Sequence, residues 1–175
     1  APTPETLKML QEGVIDFGVI STPIQRRMDF KFRKVRDIQD IFVAGKKFAY
    51  LADRKLNYKD LETLPVMCLE GNTSTRAYVE GFLRENGVHL QPEFELATSD
   101  MLIRFAMRGF GIAGVAEDFA LEAMEKGEIF RLHFDREIPK RHFCIVTDEK
   151  VPMTAAARRF LDLLEDKCTP DKHKS

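Results

Sequence analysis

Residues Arg104 to Ala120 read RFAMRGFGIAGVAEDFA. Just before and into this stretch, Met101, Leu102, Phe105 and Ala106 recur at helical spacing. Gly109-Phe110-Gly111 interrupts the pattern, Ile112 to Val115 reads as a buried strand, and an acidic Glu117-Asp118 turn opens a helix over about Phe119 to Lys126. Helix, glycine pair, strand and helix in that order describe an α/β unit. A dinucleotide cradle is a poor reading. Its G-x-G-x-x-G joins a strand to the helix after it, whereas this pair follows a helix and Gly114 falls inside the strand. Gly109 instead suits a left-handed helix C-cap, and Gly111 a tight turn into the strand.

The same alternation extends both ways. Upstream, a helix begins at Thr3-Pro4-Glu5 with Thr3 as cap, and Gly13 stops it. Val14 to Ile20 reads as a buried strand ending at Ser21-Thr22-Pro23. FKFRKV, Phe30 to Val35, alternates like a half-exposed strand, and Ile41 to Ala44 is apolar throughout. Asp60-Leu61 opens a helical turn, Leu64 to Leu69 is a strand, and a helix covers about Arg76 to Glu85 up to Asn86-Gly87. Phe94 to Leu96 is a short strand, and Thr98-Ser99-Asp100 caps the helix that leads into the glycine pair. Ile129 to Phe134 and His142 to Thr147 are strands, and Thr154 caps a last helix. Nearly continuous apolar strands between helices predict a mostly parallel sheet.

The 175 residues carry 44% hydrophobic and 31% charged side chains and a net charge of −1. That balance supports a buried core and offers no strong basic field for nucleic acid or an anionic membrane. No apolar run approaches a membrane span. Cys68, Cys144 and Cys168 are far apart, which argues against a disulfide framework and suits a reducing cytoplasm. Without CxxC or His-x-x-x-His pairs, neither a metal nor another cofactor is expected. His89, His133, His142 and His173 are scattered, and no G-x-S-x-G elbow is present, so no catalytic set emerges. Asp16 reads as a polar contact at a strand end.

Turns from strands into helices carry the best candidate chemistry. Free N–H groups at a helix start, with the dipole behind them, favour a carboxylate or phosphate. Gly71-Asn72-Thr73-Ser74-Thr75, Thr98-Ser99-Asp100 and the turn after Val115 are such places, and Ser21-Thr22 ends a strand. Each Ser or Thr has a plainer reading as a helix cap. Only convergence of several turns raises the binding reading above it.

In order along the chain, LKMLQEGVIDFGVIS, DLETLPVMCLEGNTSTRAYVEGFLRENG, FELATSDMLIRFAMRGFGIAGVAEDFALEAMEKGEIFRL and RHFCIVTDEKVPMTAAARRFLDLLE resemble the effector-binding domain of LysR-type transcriptional regulators. The third piece is the most specific. The resemblance implies an α/β fold of the periplasmic-binding-protein type 2 kind, with two lobes around a crevice. Lobe I is expected at 1–43 plus 145–168, lobe II at 44–144, and a disordered tail at 169–175. It implies a non-enzymatic sensing domain whose effector is a small anion, carboxylate or amino acid. The matching crevice positions are Ser21, Thr22, Gly71, Asn72, Thr73, Ser74, Thr98 and Ser99.

It also implies a cytoplasmic homodimer or tetramer, with the helix at Arg76 to Glu85 as a candidate contact. DNA would be reached only through an N-terminal helix-turn-helix domain, which is expected to be absent from this chain. Ala1 falls just before the family's second helix, so the first strand and helix are expected to be missing too. Ala116 stands where many members have proline. A free-standing solute-binding protein of the same fold, serving a transporter, is the alternative.

Overall fold

The computed structural model describes residues 3–22, 30–71, 73–150 and 152–168, except the side chains of 3–4 and 164–168. In chain order the elements are α1 (Thr3–Gln11), β1 (Gly18–Ser21), β2 (Phe30–Ile38), β3 (Asp40–Gly45), a 3-10 segment (Lys46–Leu51), β4 (Lys55–Leu56) and a second 3-10 segment (Tyr58–Thr63). They continue as β5 (Val66–Leu69), α2 (Ser74–Glu85), β6 (Phe94–Leu96), α3 (Ser99–Met107), β7 (Ile112–Ala116), α4 (Glu117–Glu125), β8 (Ile129–Arg131), β9 (His133–Phe134), β10 (Arg141–Asp148) and α5 (Ala155–Cys168).

Contacts divide the chain into two units: residues 1–37 with 141–175, and residues 38–140. The sequence reading placed the crossings near 43/44 and 144/145; the structure places them earlier. All of β3 pairs with β7 and β8, which makes it part of the second unit, and β10 pairs with β1 from Phe143 to Val146. The tail at 169–175 lies outside the described residues.

The first unit is a three-stranded sheet in the order β1-β10-β2, with β1 antiparallel to β10. Leu10, Ile20, Phe30 and Val146 form its small core. The strand expected from Val14 begins only at Gly18. Before it, Asp16 accepts from the Thr154 backbone N–H at 2.9 Å and from its hydroxyl at 3.0 Å, a tie to the start of α5. The polar contact expected of Asp16 is therefore present. The Thr3 cap falls on side chains outside the described ones.

The second unit has a five-stranded sheet in the order β6-β5-β7-β3-β8. β5 runs parallel to β6 and β7, but β3 is antiparallel to β7 and β8. The mostly parallel sheet expected is thus a mixed one. β3 arrives directly after β2 rather than through a helical crossover, so nothing obliges it to run with its neighbours. Alternation splits the strands between two cores. Phe42, Ala44, Val66, Cys68 and Ile112 face Val79 and Leu83 of α2, while Ile41, Val43, Met67, Ala113 and Val115 face Leu102 and Ala106 of α3.

The glycine pair of the opening stretch divides its tasks. Gly109 has φ +73° and ends α3: its N–H donates to the Ala106 carbonyl at 2.9 Å, and the Phe110 N–H to the Phe105 carbonyl at 3.1 Å. That is the helix-stop geometry glycine serves best. Gly111, which follows the turn, has no left-handed backbone. It is a point of close approach: a Cβ there would lie 2.5 Å from the Pro65 carbonyl oxygen.

Candidate functional site

Because β5, β6 and β7 run parallel, their carboxyl ends share one edge of the sheet. Register tightens the first two: Leu69 faces Leu96, and the Glu70 N–H donates to the Leu96 carbonyl at 3.1 Å. β5 feeds α2, β6 feeds α3 and β7 feeds α4, so three helix starts follow that edge. Orphan N–H groups gather there, with three helix dipoles behind them.

The starts are not equivalent. The first turn of α4 carries Glu117 and Asp118, and that of α3 carries Asp100. The first turn of α2 carries no carboxylate. A helix start already matched by its own acids has less to offer an anion, and of the three only α2 is without such acids.

Local chemistry builds the α2 turn. The Thr73 hydroxyl accepts from the Arg76 N–H at 3.2 Å and donates to the Glu70 carbonyl at 3.1 Å. Its proton is spent within the turn, which makes Thr73 first a cap. Gly71 and Ser74 are exposed beside it, and Asn72 lies outside the described residues. At α3 the Thr98 hydroxyl accepts from the Met101 N–H at 3.3 Å and keeps its proton to donate, with Ser99 half-buried next to it.

The remaining two candidates sit in the first unit. Ser21 is buried at the end of β1. The Thr22 N–H donates to the His142 carbonyl and its hydroxyl accepts from the His142 N–H, both at 2.8 Å. Thr22 thus prolongs the β1–β10 ladder by one residue. His142 Nδ1 lies 2.6 Å from the Asp37 carboxylate, which also pairs with Lys34 at 2.6 Å, fastening β10 to β2. Lys34, and then His142, holds the Asp37 carboxyl below its ordinary value.

Sequence reasoning missed Arg76. A lone arginine in the first turn of a helix looks like a solvated charge, but this one is 7% exposed. Its guanidinium donates to the Leu69 carbonyl at 2.9 Å and to Glu80 at 2.6 Å, and pairs with Glu95 at 3.1 Å. One side chain therefore ties the last residue of β5, the middle of β6 and the next turn of α2. Burial alone would depress the Arg76 pKa; the Glu80 hydrogen bond and the nearby carboxylates leave it raised.

Beneath this edge Cys68 is 3% exposed, and burial pushes its thiol up to about 11. The folded state favours the neutral thiol, so its contribution is intact below pH 9 and is lost as pH rises towards 11. Iodoacetamide at pH 8 is expected to leave Cys68 unlabelled in the native chain and to label it in urea, read by peptide mass spectrometry. Native labelling at the unfolded rate would contradict this burial. Among the described residues no cluster of His, Cys, Asp and Glu has the makings of a metal site. No described helix is long and apolar enough to cross a membrane.

Comparison with known proteins adds three findings. The family model of the LysR substrate binding domain matches residues 1–169. No curated protein matches the chain. Among solved structures, the regulatory domain of CcmR from Synechocystis PCC6803 in complex with 2-PG superposes with TM-score 0.81 at 16% identity, over 94% of this chain and 79% of that one. The effector binding domain of QuiR in complex with shikimate gives 0.78 at 10%, over 96% and 78%. The bromide-bound regulatory domain of HypT from Salmonella typhimurium gives 0.77 at 17%, over 95% and 78%. At such identities the likeness concerns the fold, which is of the periplasmic-binding-protein type 2 kind.

Proposed function

Since this chain belongs to the LysR substrate binding domain family, we propose that it senses a small polar or anionic metabolite and performs no catalysis. The effector is held at the carboxyl edge of the second unit's sheet. Gly71, Asn72 and Ser74 border the α2 start, Thr98 and Ser99 border the α3 start, and Thr73 shapes the turn. One observation carries this reading: of three helix starts on that edge, only that of α2 has no acid in its first turn. Structural neighbours that hold 2-PG, shikimate and bromide support a small, mostly anionic ligand class. Binding shifts the chain towards whichever conformation holds the effector more tightly, by no more than the difference in affinity. In the intact regulator that shift reaches DNA through a helix-turn-helix domain, in a homodimer or tetramer.

Ser74→Glu tests the reading. A carboxylate at the first position of α2 complements the dipole and is expected to hold or raise the stability of the free chain, by about 0.3–1 kcal/mol. The same charge occupies the anion's place. Thermal shift against carboxylates, phosphates, amino acids and halides, anchored on 2-PG, shikimate and bromide, is the measurement. A ligand at a hundredfold excess over Kd adds about 2.7 kcal/mol to the wild type. The expected result is a ligand-dependent shift in the wild type that vanishes in a Ser74→Glu chain at least as stable. Undiminished stabilisation of the variant, or no shift of the wild type with any of these compounds, would overturn the assignment.

A further inference from the structure

A second groove, wholly within the first unit, lies between its sheet and α5 and has no part in the reading above. Lys31 and Arg33 are alternate residues of β2 and share one face. Ile145 and Thr147 are alternate residues of β10, and Arg158 and Leu161 stand one turn apart on α5. Together they line an open groove of about 240 Å³, just below the roughly 300–1,000 Å³ of most small-molecule sites.

The groove has an apolar floor and a cationic rim. Ile145 and Leu161 are buried, at 4% and 7% exposure. Three cations line the groove against one carboxylate, Asp162. Lys31 has only a loose pair with Glu149, at 3.9 Å, with both side chains more than 70% exposed. Such a pair contributes little and yields readily to a better anion. Arg158 has no carboxylate partner among the described residues, although Asp162 stands one turn further along the same helix.

We propose that this groove binds a small carboxylate with an apolar body. The ring or branched chain packs on Ile145 and Leu161, and the Arg158 guanidinium takes the carboxylate in its planar fork. Lys31 and Arg33 supply the field, and the Thr147 hydroxyl a further donor. A bare phosphate or halide would leave the apolar floor unused, and a neutral hydrocarbon would leave the rim unused. This site is independent of the α2 edge, so each stands or falls alone.

Amide chemical shifts of the ¹⁵N-labelled chain, titrated with phenylacetate and with its neutral isostere phenylacetamide, provide the test. Saturable shifts are expected at Lys31, Arg33, Ile145, Thr147 and Arg158 with phenylacetate. Phenylacetamide should bind about tenfold more weakly, because the charge-assisted hydrogen bonds are gone. Arg158→Gln, on an exposed helix face where folding is little affected, should cost phenylacetate a similar factor. Equal affinity for the two compounds, equal affinity in Arg158→Gln, shifts confined to the starts of α2 and α3, or no saturable shift would each overturn the proposal. The third of those outcomes would leave the α2 reading standing.

Discussion

Gly111→Ala is expected to destabilise the second unit by about 3 kcal/mol, the upper end of the usual cost of overpacking. The added Cβ would lie 2.5 Å from the Pro65 carbonyl oxygen and 3.0 Å from Cγ of Met67. Met67 is flexible and has room to give way; the Pro65 oxygen is backbone and accepts from the Ile112 N–H at 2.8 Å. Relieving the clash means pushing the start of β7 away from β5, in the middle of a sheet whose β7 residues are all buried. β7 lies between β5 and β3, so the strain reaches both cores. Gly81→Ala is the matched control. Gly81 is inside α2 with nothing within 4 Å of a new Cβ, and alanine there should gain up to about 1 kcal/mol. Urea unfolding with unchanged slope measures both. Equal midpoints for the two variants would show that β7 does not approach Pro65 as closely as the structure has it.

That contrast also shows how far a sequence reading reaches. Gly109 was legible because a helix stop has a local signature: a periodic run, a glycine, then an apolar residue. Gly111 was not, because the atom it makes room for is 46 positions away in sequence, at Pro65. The direction of β3 was illegible for a related reason. An all-apolar strand declares burial on both faces, but which way it runs is decided by partners elsewhere. The 3-10 segment at Lys46–Leu51, which buries Phe48 and Leu51, passed unnoticed because KKFAYL has no helical period. Helix starts were read well, since Thr73 and Thr98 cap by contacts three residues long. The acids that separate α2 from α3 and α4 are plain in the sequence. Their meaning depends on the parallel pairing that brings the three starts to one edge.

Arg76→Met should cost about 2 kcal/mol of stability and, beyond that, loosen the proposed effector edge. Methionine preserves the aliphatic packing of the stem, so the loss isolates the guanidinium. Removing one partner of a fully buried ion pair costs roughly 3–5 kcal/mol because a charge is left stranded. Here Glu80 and Glu95 have side chains 30% and 48% exposed, so both have water to turn to, and the cost falls below that range. The Leu69 carbonyl has no such escape, since Leu69 is buried at the end of β5. Its bond to Arg76 and the Arg76–Glu95 pair add a side-chain tie to the backbone pairing of β5 and β6 beside the two proposed binding turns. Arg76→Lys should recover only part of the loss, because an ammonium is a point donor and lacks the planar fork needed to span a carbonyl and two carboxylates. A purely structural Arg76 would lower the unfolding midpoint and leave effector affinity, measured well below that midpoint, unchanged. A positioning Arg76 lowers both, with Arg76→Lys intermediate in each. Affinity equal to wild type in the methionine variant would confine Arg76 to the stability of the sheet edge.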